Sequence, residues 1–350
     1  MSHQPIRVLV VDDSEIIRRL LTEVLNSDPD ISVVGTAKDA YEAKKLVNQL
    51  APDVITLDVE MPEVDGIRFL EVLMKAKPTP VIMISTLTRS KAEVTLKALE
   101  LGAVDYIAKP VIDDLSMFQR YSTTVTSKVK MAARSRVGHA KQMSKKPVMT
   151  STGVNRVIAI GASTGGTEAI NNVLQQLPAH NFAVVMTQHM PAGFTTTYAD
   201  RLSRTTDFTV IEAKGGEQLR PGYAYLAPGG YHLRVIRKGN LLYTDVFKGE
   251  KVSGHCPSVD VLFDSVAKEV GKFALAALLT GMGKDGAQGL KKIHDNGGFT
   301  VAQDEQSCVV FGMPRAAITL GAVTQVASLE DIGATLVAGL KQQKSAVSSI

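Results

Sequence analysis

Short runs of β-branched and aliphatic residues alternate along this chain with stretches whose apolar positions recur every three or four residues. Near the start the short runs are Ile6–Asp13, Ile31–Ala37, Val54–Asp58, Val81–Ser85 and Asp105–Ile107. Between them lie sets with helical spacing, such as Ile16-Ile17-Leu20-Leu21-Val24 and Phe69-Leu70-Leu73. Strands of this kind, separated by helices, are covered on both faces and pair in parallel. The same pattern resumes at about Val154. Strands are predicted at Val157–Gly161, Ala183–Thr187, Thr209–Ala213, Ala274–Thr280, Thr300–Asp304 and Val323–Ala327. Helices are predicted at Ala169–Leu177, Thr195–Ser203, Val259–Val270, Ala287–Asn296 and Ile332–Leu340. Tyr223–Phe247 departs from the pattern. It alternates β-type residues around Lys238-Gly239-Asn240 and reads as an antiparallel hairpin. The predicted fold class is α/β, with two doubly wound, mostly parallel sheets and a hairpin on the second.

The two patterned regions are joined by a different composition. From Leu115 to Gly153 there is no acidic residue, while Arg120, Lys128, Lys130, Arg134, Arg136, Lys141, Lys145 and Lys146 are basic. The part up to about Arg136 can extend the last helix of the first domain. Residues 137–153 have no apolar face and read as a flexible tether. The expected domains are therefore 5–123, a basic linker at 124–153, and 154–345. No Phe, Tyr or Trp lies among the basic residues beyond Tyr121, and the whole chain carries only +4. Nucleic acid is not expected as a partner. Cys256 and Cys308 form no C-x-x-C pair, which suits a reducing cytoplasm. The opening MSHQPIRVLVVDD reads as a first strand rather than a signal peptide, and no apolar run reaches the ~20 residues of a membrane helix. A cytoplasmic monomer without membrane insertion is the expectation.

Chemistry in open parallel sheets lies at the carboxyl ends of the strands. In the first domain those ends carry Asp12, Asp13, Asp58, Ser85 and, after the last strand, Lys109. Three converging carboxylates stay ionised together only around a cation, and oxygen ligands with room for water suit Mg²⁺. The segments VVDDS, LDVEMPEVDG, MIST and YIAKP resemble a response-regulator receiver domain, a flavodoxin-like (βα)5 fold, over residues 5 to about 123. The resemblance implies that Asp58 accepts a phosphoryl group from a histidine kinase. It implies a Mg²⁺ site at Asp13, Asp58 and the Glu60 carbonyl, with Asp12 acting through water. Ser85 and Lys109 would sense the phosphoryl oxygens, and Tyr106 would be a rotameric switch. It also makes the Lys109–Pro110 bond a candidate for the cis form.

In the second domain VIAIGASTGGT runs from a buried strand into a glycine-rich turn bearing Ser163. The spelling G-x-S-x-G fits a nucleophile elbow, although such turns also cradle phosphates. A nucleophilic serine needs a base and an orienting acid. His189 ends the strand FAVVMTQ, and Asp285 lies in the turn TGMGKDG after another strand. Ser163, His189 and Asp285 thus share one edge of the sheet. His255, in the loop SGHCPSVD, and Asp304, ending a further strand, remain open alternatives at this level. The turn Thr280-Gly281-Met282-Gly283 offers backbone N–H groups for an oxyanion hole.

The motifs IGASTGGTEA, QHMPAGFT, YLAPGG, GHCPSVDVLF, LLTGMGKDGAQGL and FGMPRAA resemble the catalytic domain of the chemotaxis protein-glutamate methylesterases, the CheB family. The resemblance implies Ser163 as nucleophile, His189 as general base, Asp285 as its partner and the Met282 N–H in the oxyanion hole, with no cofactor in this domain. It implies hydrolysis of γ-glutamyl methyl esters on chemoreceptors with release of methanol, and deamidation of selected receptor glutamines. The domain order adds control by phosphorylation of Asp58. A DNA-binding regulator would carry a small helical output domain instead. A dinucleotide-binding domain would place an acid where Gln188-His189 stand. An α/β-hydrolase would order its triad Ser, acid, His.

Overall fold

The structure, a computed structural model, describes residues 4–61, 64–86, 89–110, 115–135 and 157–347. They form two compact units, residues 1–141 and 142–350. The basic tether expected at 137–153 lies outside the described residues.

The first unit has five strands, β1 (Ile6–Val11), β2 (Ile31–Ala37), β3 (Val54–Asp58), β4 (Val81–Ser85) and β5 (Asp105–Ala108). Their order is β2-β1-β3-β4-β5 and every pairing is parallel. The helices are α1 (Glu15–Asn26), α2 (Ala40–Leu50), α3 (Gly66–Ala76), α4 (Arg89–Glu100) and α5 (Leu115–Ala132). Ser14, Asp39 and Asp65 each accept a bond from a first-turn N–H of the helix that follows, which fixes where the first three begin. All residues of β3 and β4 are buried, as their unbroken apolar runs require. β1 stops at Val11, so Asp12 and Asp13 stand beyond the sheet rather than in it.

The second unit is built on β6 (Val157–Ala162), β7 (Ala183–Gln188), β8 (Thr209–Glu212), β9 (Tyr223–Leu226), β12 (Leu275–Leu278), β13 (Phe299–Gln303) and β14 (Gln325–Ala327). The order is β14-β13-β12-β6-β7-β9-β8, again all parallel. A separate antiparallel pair, β10 (His232–Lys238) and β11 (Leu241–Phe247), turns at Gly239-Asn240, with Gly239 at φ 58°. The helices are α6 (Gly166–Gln176), α7 (Phe194–Thr205), α8 (Val259–Glu269), α9 (Ala287–Asp295), α10 (Met313–Thr319) and α11 (Ile332–Val347). Leu262, Phe263 and Val266 of α8 share one core with Leu233 and Val235 of β10 and with Ala159 and Ala276 of the sheet. Each such fully buried large side chain contributes about 1.5–3 kcal/mol relative to exposure, which ties the hairpin to the domain.

One expectation is corrected and one element was missed. Tyr223–Leu226 does not belong to the hairpin; it is β9, inserted in parallel between β7 and β8. Alternation reports which faces are wet, not which strand is the partner, and Ala224, Tyr225 and Leu226 are all buried. Helix α10 was not visible as a period because seven residues make only two turns.

β6 is central, with β7 on one side and β12 on the other. The chain therefore winds outward in both directions from β6, and the carboxyl ends of these three strands are where sheets of this kind place their chemistry. Among the described residues no helix is long and apolar enough to cross a membrane.

Candidate active site

Ser163 is the first residue past β6. Its N–H donates to the Thr280 carbonyl at 3.0 Å, and its carbonyl accepts from Gly166 N–H and from Gln188 Nε2, both at 2.8 Å. The turn is thus fastened to both neighbouring strand ends and to its own helix. Gly165, at φ 75°, is the N-cap of α6. A Cβ there would lie 2.6 Å from Val309 Cβ, so both conformation and space demand glycine.

The last register pair of β6 and β7 is Ala162 with Gln188, and the His189 N–H donates to the Ala162 carbonyl at 3.1 Å. Ser163 and His189 therefore occupy adjacent positions just past two paired strands. The His189 ring is nearly buried, with 8% of the side chain exposed. Its Nε2 lies 2.8 Å from Asp285 Oδ2, and its Nδ1 is buried with no hydrogen-bond partner. One ring nitrogen is occupied by the acid and the other has no partner.

Asp285 is buried and saturated with donors. Ser258 Oγ (2.8 Å) and Asp260 N–H (3.0 Å) bond Oδ1, and Val259 N–H (2.8 Å) bonds Oδ2 alongside His189. Ser258, Val259 and Asp260 are the N-cap and first two residues of α8. Ser258 makes no side-chain cap to its own helix, because the carboxylate of Asp285 performs that capping from outside. Burial alone would raise this carboxyl. The bond and charge of His189 and the α8 N–H groups outweigh it and hold Asp285 down to about 2.

The turn after β12 adjoins the serine turn. Gly281 N–H is taken by the Val310 carbonyl, while the Met282 N–H has no acceptor among the described residues. A Cβ on Gly281 would sit 2.7 Å from Ser163 Cβ and 2.3 Å from Met313 Sδ, so this turn runs directly against the serine. Met282 itself is exposed.

The carboxyl edge of the first unit gathers Asp12, Asp13 and Asp58, whose ligand atoms lie within 4.8 Å of one another. Lys109 Nζ is 2.7 Å from Asp58 Oδ2 and 3.2 Å from Asp12 Oδ2. Asp12 Oδ2 is otherwise buried without a hydrogen bond. Burial, the largest influence, and the nearby Asp12 push Asp58 up to about 6, against the pull of Lys109. Burial also raises Asp12. Lys109 is lowered by burial but raised more by its bonds to the two aspartates. Ser85 is buried, donates to the Thr86 carbonyl at 3.3 Å and lies 3.1 Å from Thr95 Oγ1. Tyr106 is buried, which pushes its hydroxyl well above the usual range. The Glu60 N–H bonds the Asp58 carboxylate, and the Glu60 side chain pairs with Lys91.

A family model described as CheB methylesterase matches residues 158–336, and one described as the response regulator receiver domain matches residues 8–120. A Shewanella oneidensis protein named protein-glutamate methylesterase/protein-glutamine glutaminase 2 is 54% identical over 336 residues, 94% of this chain and 96% of that protein. The chain belongs to the CheB methylesterase family. A Pseudomonas aeruginosa CheB relative of the same name is 51% identical, covering 95% of this chain and 96% of its own. The crystal structure of the Thermotoga maritima CheB methylesterase catalytic domain superposes with a TM-score of 0.52 at 36% identity, over 53% of this chain and 98% of that one.

In this CheB-family chain the structure brings Ser163, His189 and Asp285 together at three neighbouring strand ends. Asp304 stands apart, closing its own turn by accepting from the Ser307 N–H at 3.0 Å. His255 does reach the site, but its ring stacks on His189 instead of bonding Ser163. Ser258 and Gln188 were not singled out in the sequence. Ser258 carried a signal, since it is an N-cap residue type before the apolar run of α8; Gln188 carried none. The cis X–Pro bond among the described residues is Cys256–Pro257, not Lys109–Pro110.

Proposed function

We propose that this chain is a protein-glutamate methylesterase that also deamidates glutamine, acting on chemoreceptors under control of phosphorylation at Asp58. The observation that carries the reading is the Nε2–Oδ2 bond between His189 and Asp285, which leaves a buried, unpartnered Nδ1 on the residue that follows β7 just as Ser163 follows β6. Ser163 Oγ attacks the ester carbonyl while His189 Nδ1 takes its proton. Asp285 holds the proton on Nε2 and stabilises the imidazolium. The Met282 N–H meets the oxyanion. Methanol departs with the proton from His189, and water, deprotonated by the same nitrogen, releases the carboxylate and Ser163. A side-chain amide follows the same course and releases ammonia.

The receiver carboxylates fit a divalent cation. Asp12 and Asp58 resist ionisation where they are, and the buried Asp12 Oδ2 has no hydrogen bond apart from the 3.2 Å approach of Lys109 Nζ. Asp13, Asp58 and the Glu60 carbonyl would hold Mg²⁺, with Asp12 acting through water. Bound there, Mg²⁺ supplies positive charge against the incoming phosphoryl oxygens. Asp58 accepts the phosphoryl group from a histidine kinase, Lys109 shares in neutralising it, and Ser85 and Tyr106 respond to the new charge. The place of action is the cytoplasm, where kinase and receptor tails meet the enzyme as a monomer.

The test is methanol release from methylated receptor membranes, with and without phosphodonor. Ser163→Ala abolishes release while the chain stays folded; full activity in that variant refutes the assignment.

A further inference from the structure

The loop between β11 and α8 delivers one ring to the general base. Its residues Lys248–Gly254 are exposed. Val252 and His255 exchange two backbone bonds of 3.0 Å across a tight turn, with Ser253 at φ 52° and Gly254 at φ 84°. Two consecutive left-handed residues make the rigid reversal that suits a two-residue hairpin loop. Both ends of the loop are held by one buried side chain. His232 donates from Nε2 to the Glu250 carbonyl (2.8 Å) and accepts at Nδ1 from the Ser258 N–H (3.2 Å).

The outcome is that the His255 ring lies flat on His189, centroids 3.6 Å apart and planes 7° from parallel. His255 Nδ1 lies 3.0 Å from the Ser253 carbonyl, so that nitrogen carries the proton. The groups that bear on it electrostatically are His189, Asp285 and Lys251. Burial, with help from His189 and Lys251, depresses His255 to about 4, leaving it neutral in the neutral pH range.

We infer that His255 is a positioning residue for the reaction: its face fixes the plane of His189 and covers the imidazolium as it forms. This rests on the triad reading above. The reason is geometric. A ring held at Nε2 by a single bond can still tilt about that bond, which swings Nδ1 away from Ser163. A second ring in van der Waals contact with its face removes that freedom. A neutral aromatic face also favours a cation beside it, whereas a charged one would oppose it.

The test compares His255→Ala, His255→Phe and His255→Arg with wild type and with His189→Ala in the full chain. Methanol release and its pH profile are measured, and thermal unfolding checks the fold. His255→Ala is expected to lose about 10- to 100-fold in kcat, with KM within about threefold, because small misplacements of a catalytic group cost up to ~10²-fold. His255→Phe, which keeps the flat contact, is expected to recover most of that loss. His255→Arg keeps a planar stack but adds a permanent charge, and is expected to move the acid limb of kcat/KM to lower pH. Unchanged kcat in His255→Ala, or a His255→Phe as inactive as His255→Ala, overturns the inference. An active His189→Ala would instead overturn the triad reading itself.

Discussion

His189 and Asp285 stand 96 residues apart in the chain and 2.8 Å apart in space, joined from Nε2 to Oδ2. The same carboxylate caps α8 through Val259 and Asp260. A single buried group therefore orients the base and anchors a helix. Removing its charge should affect both catalysis and stability.

Asp285→Asn keeps the shape but replaces an acceptor oxygen by an amide. The amide N–H cannot accept from His189 Nε2, so the imidazole is driven to the other tautomer, with its proton on Nδ1, the nitrogen proposed as the base. kcat is expected to fall about 10³- to 10⁴-fold with little change in KM. Steady-state methanol release measures it, and near-ultraviolet circular dichroism checks that the core is intact.

The same carboxyl predicts an acid limit to stability. Its folded value of about 2 lies below the ordinary 3.8. A depressed carboxyl contributes stability that is fully present above the unfolded value and is lost as pH falls through the folded one. The loss is expected between about pH 4 and pH 2. Urea unfolding of the catalytic domain at pH 5 and pH 3 should show a steeper decline for wild type than for Asp285→Asn.

Gly281 is expected to tolerate no side chain. The added methyl of Gly281→Ala would meet Met313 Sδ at 2.3 Å and Ser163 Cβ at 2.7 Å. Overpacking of this kind costs about 1–3 kcal/mol, and here the displaced parts are the nucleophile and the oxyanion turn. Activity should drop by about 10²-fold, the cost of misplacing a catalytic group, while the thermal midpoint falls by a few degrees.

In the receiver, Lys109 is the cation that meets both Asp12 and Asp58. Asp58→Asn and Lys109→Ala should each abolish the stimulation of methanol release by phosphodonor while basal hydrolysis persists. Chelating divalent ions should do the same to wild type. Radiolabelled phosphoryl transfer separates the cases: Asp58→Asn takes up none, and Lys109→Ala still takes up label.

Most strands and helices of both domains, α10 excepted, and the serine turn between β6 and α6, were legible in the sequence. Burial on two faces and a 3.6-residue period are local properties that residue order records directly. The carboxylate cluster was legible for a related reason, since strand ends mark where polar residues converge in a parallel sheet. The partner of each strand was not legible. Tyr225 alternates as a hairpin residue would, yet it pairs in parallel between β7 and β8. The choice of Asp285 over Asp304 depended on β12 lying against β6, a pairing of residues more than a hundred positions apart. The flat contact of His255 on His189 depended on a loop clamped at both ends by His232. Pattern states which faces must leave water. Which faces then meet is decided by packing and hydrogen bonding summed over the whole fold, and only the folded chain carries that sum.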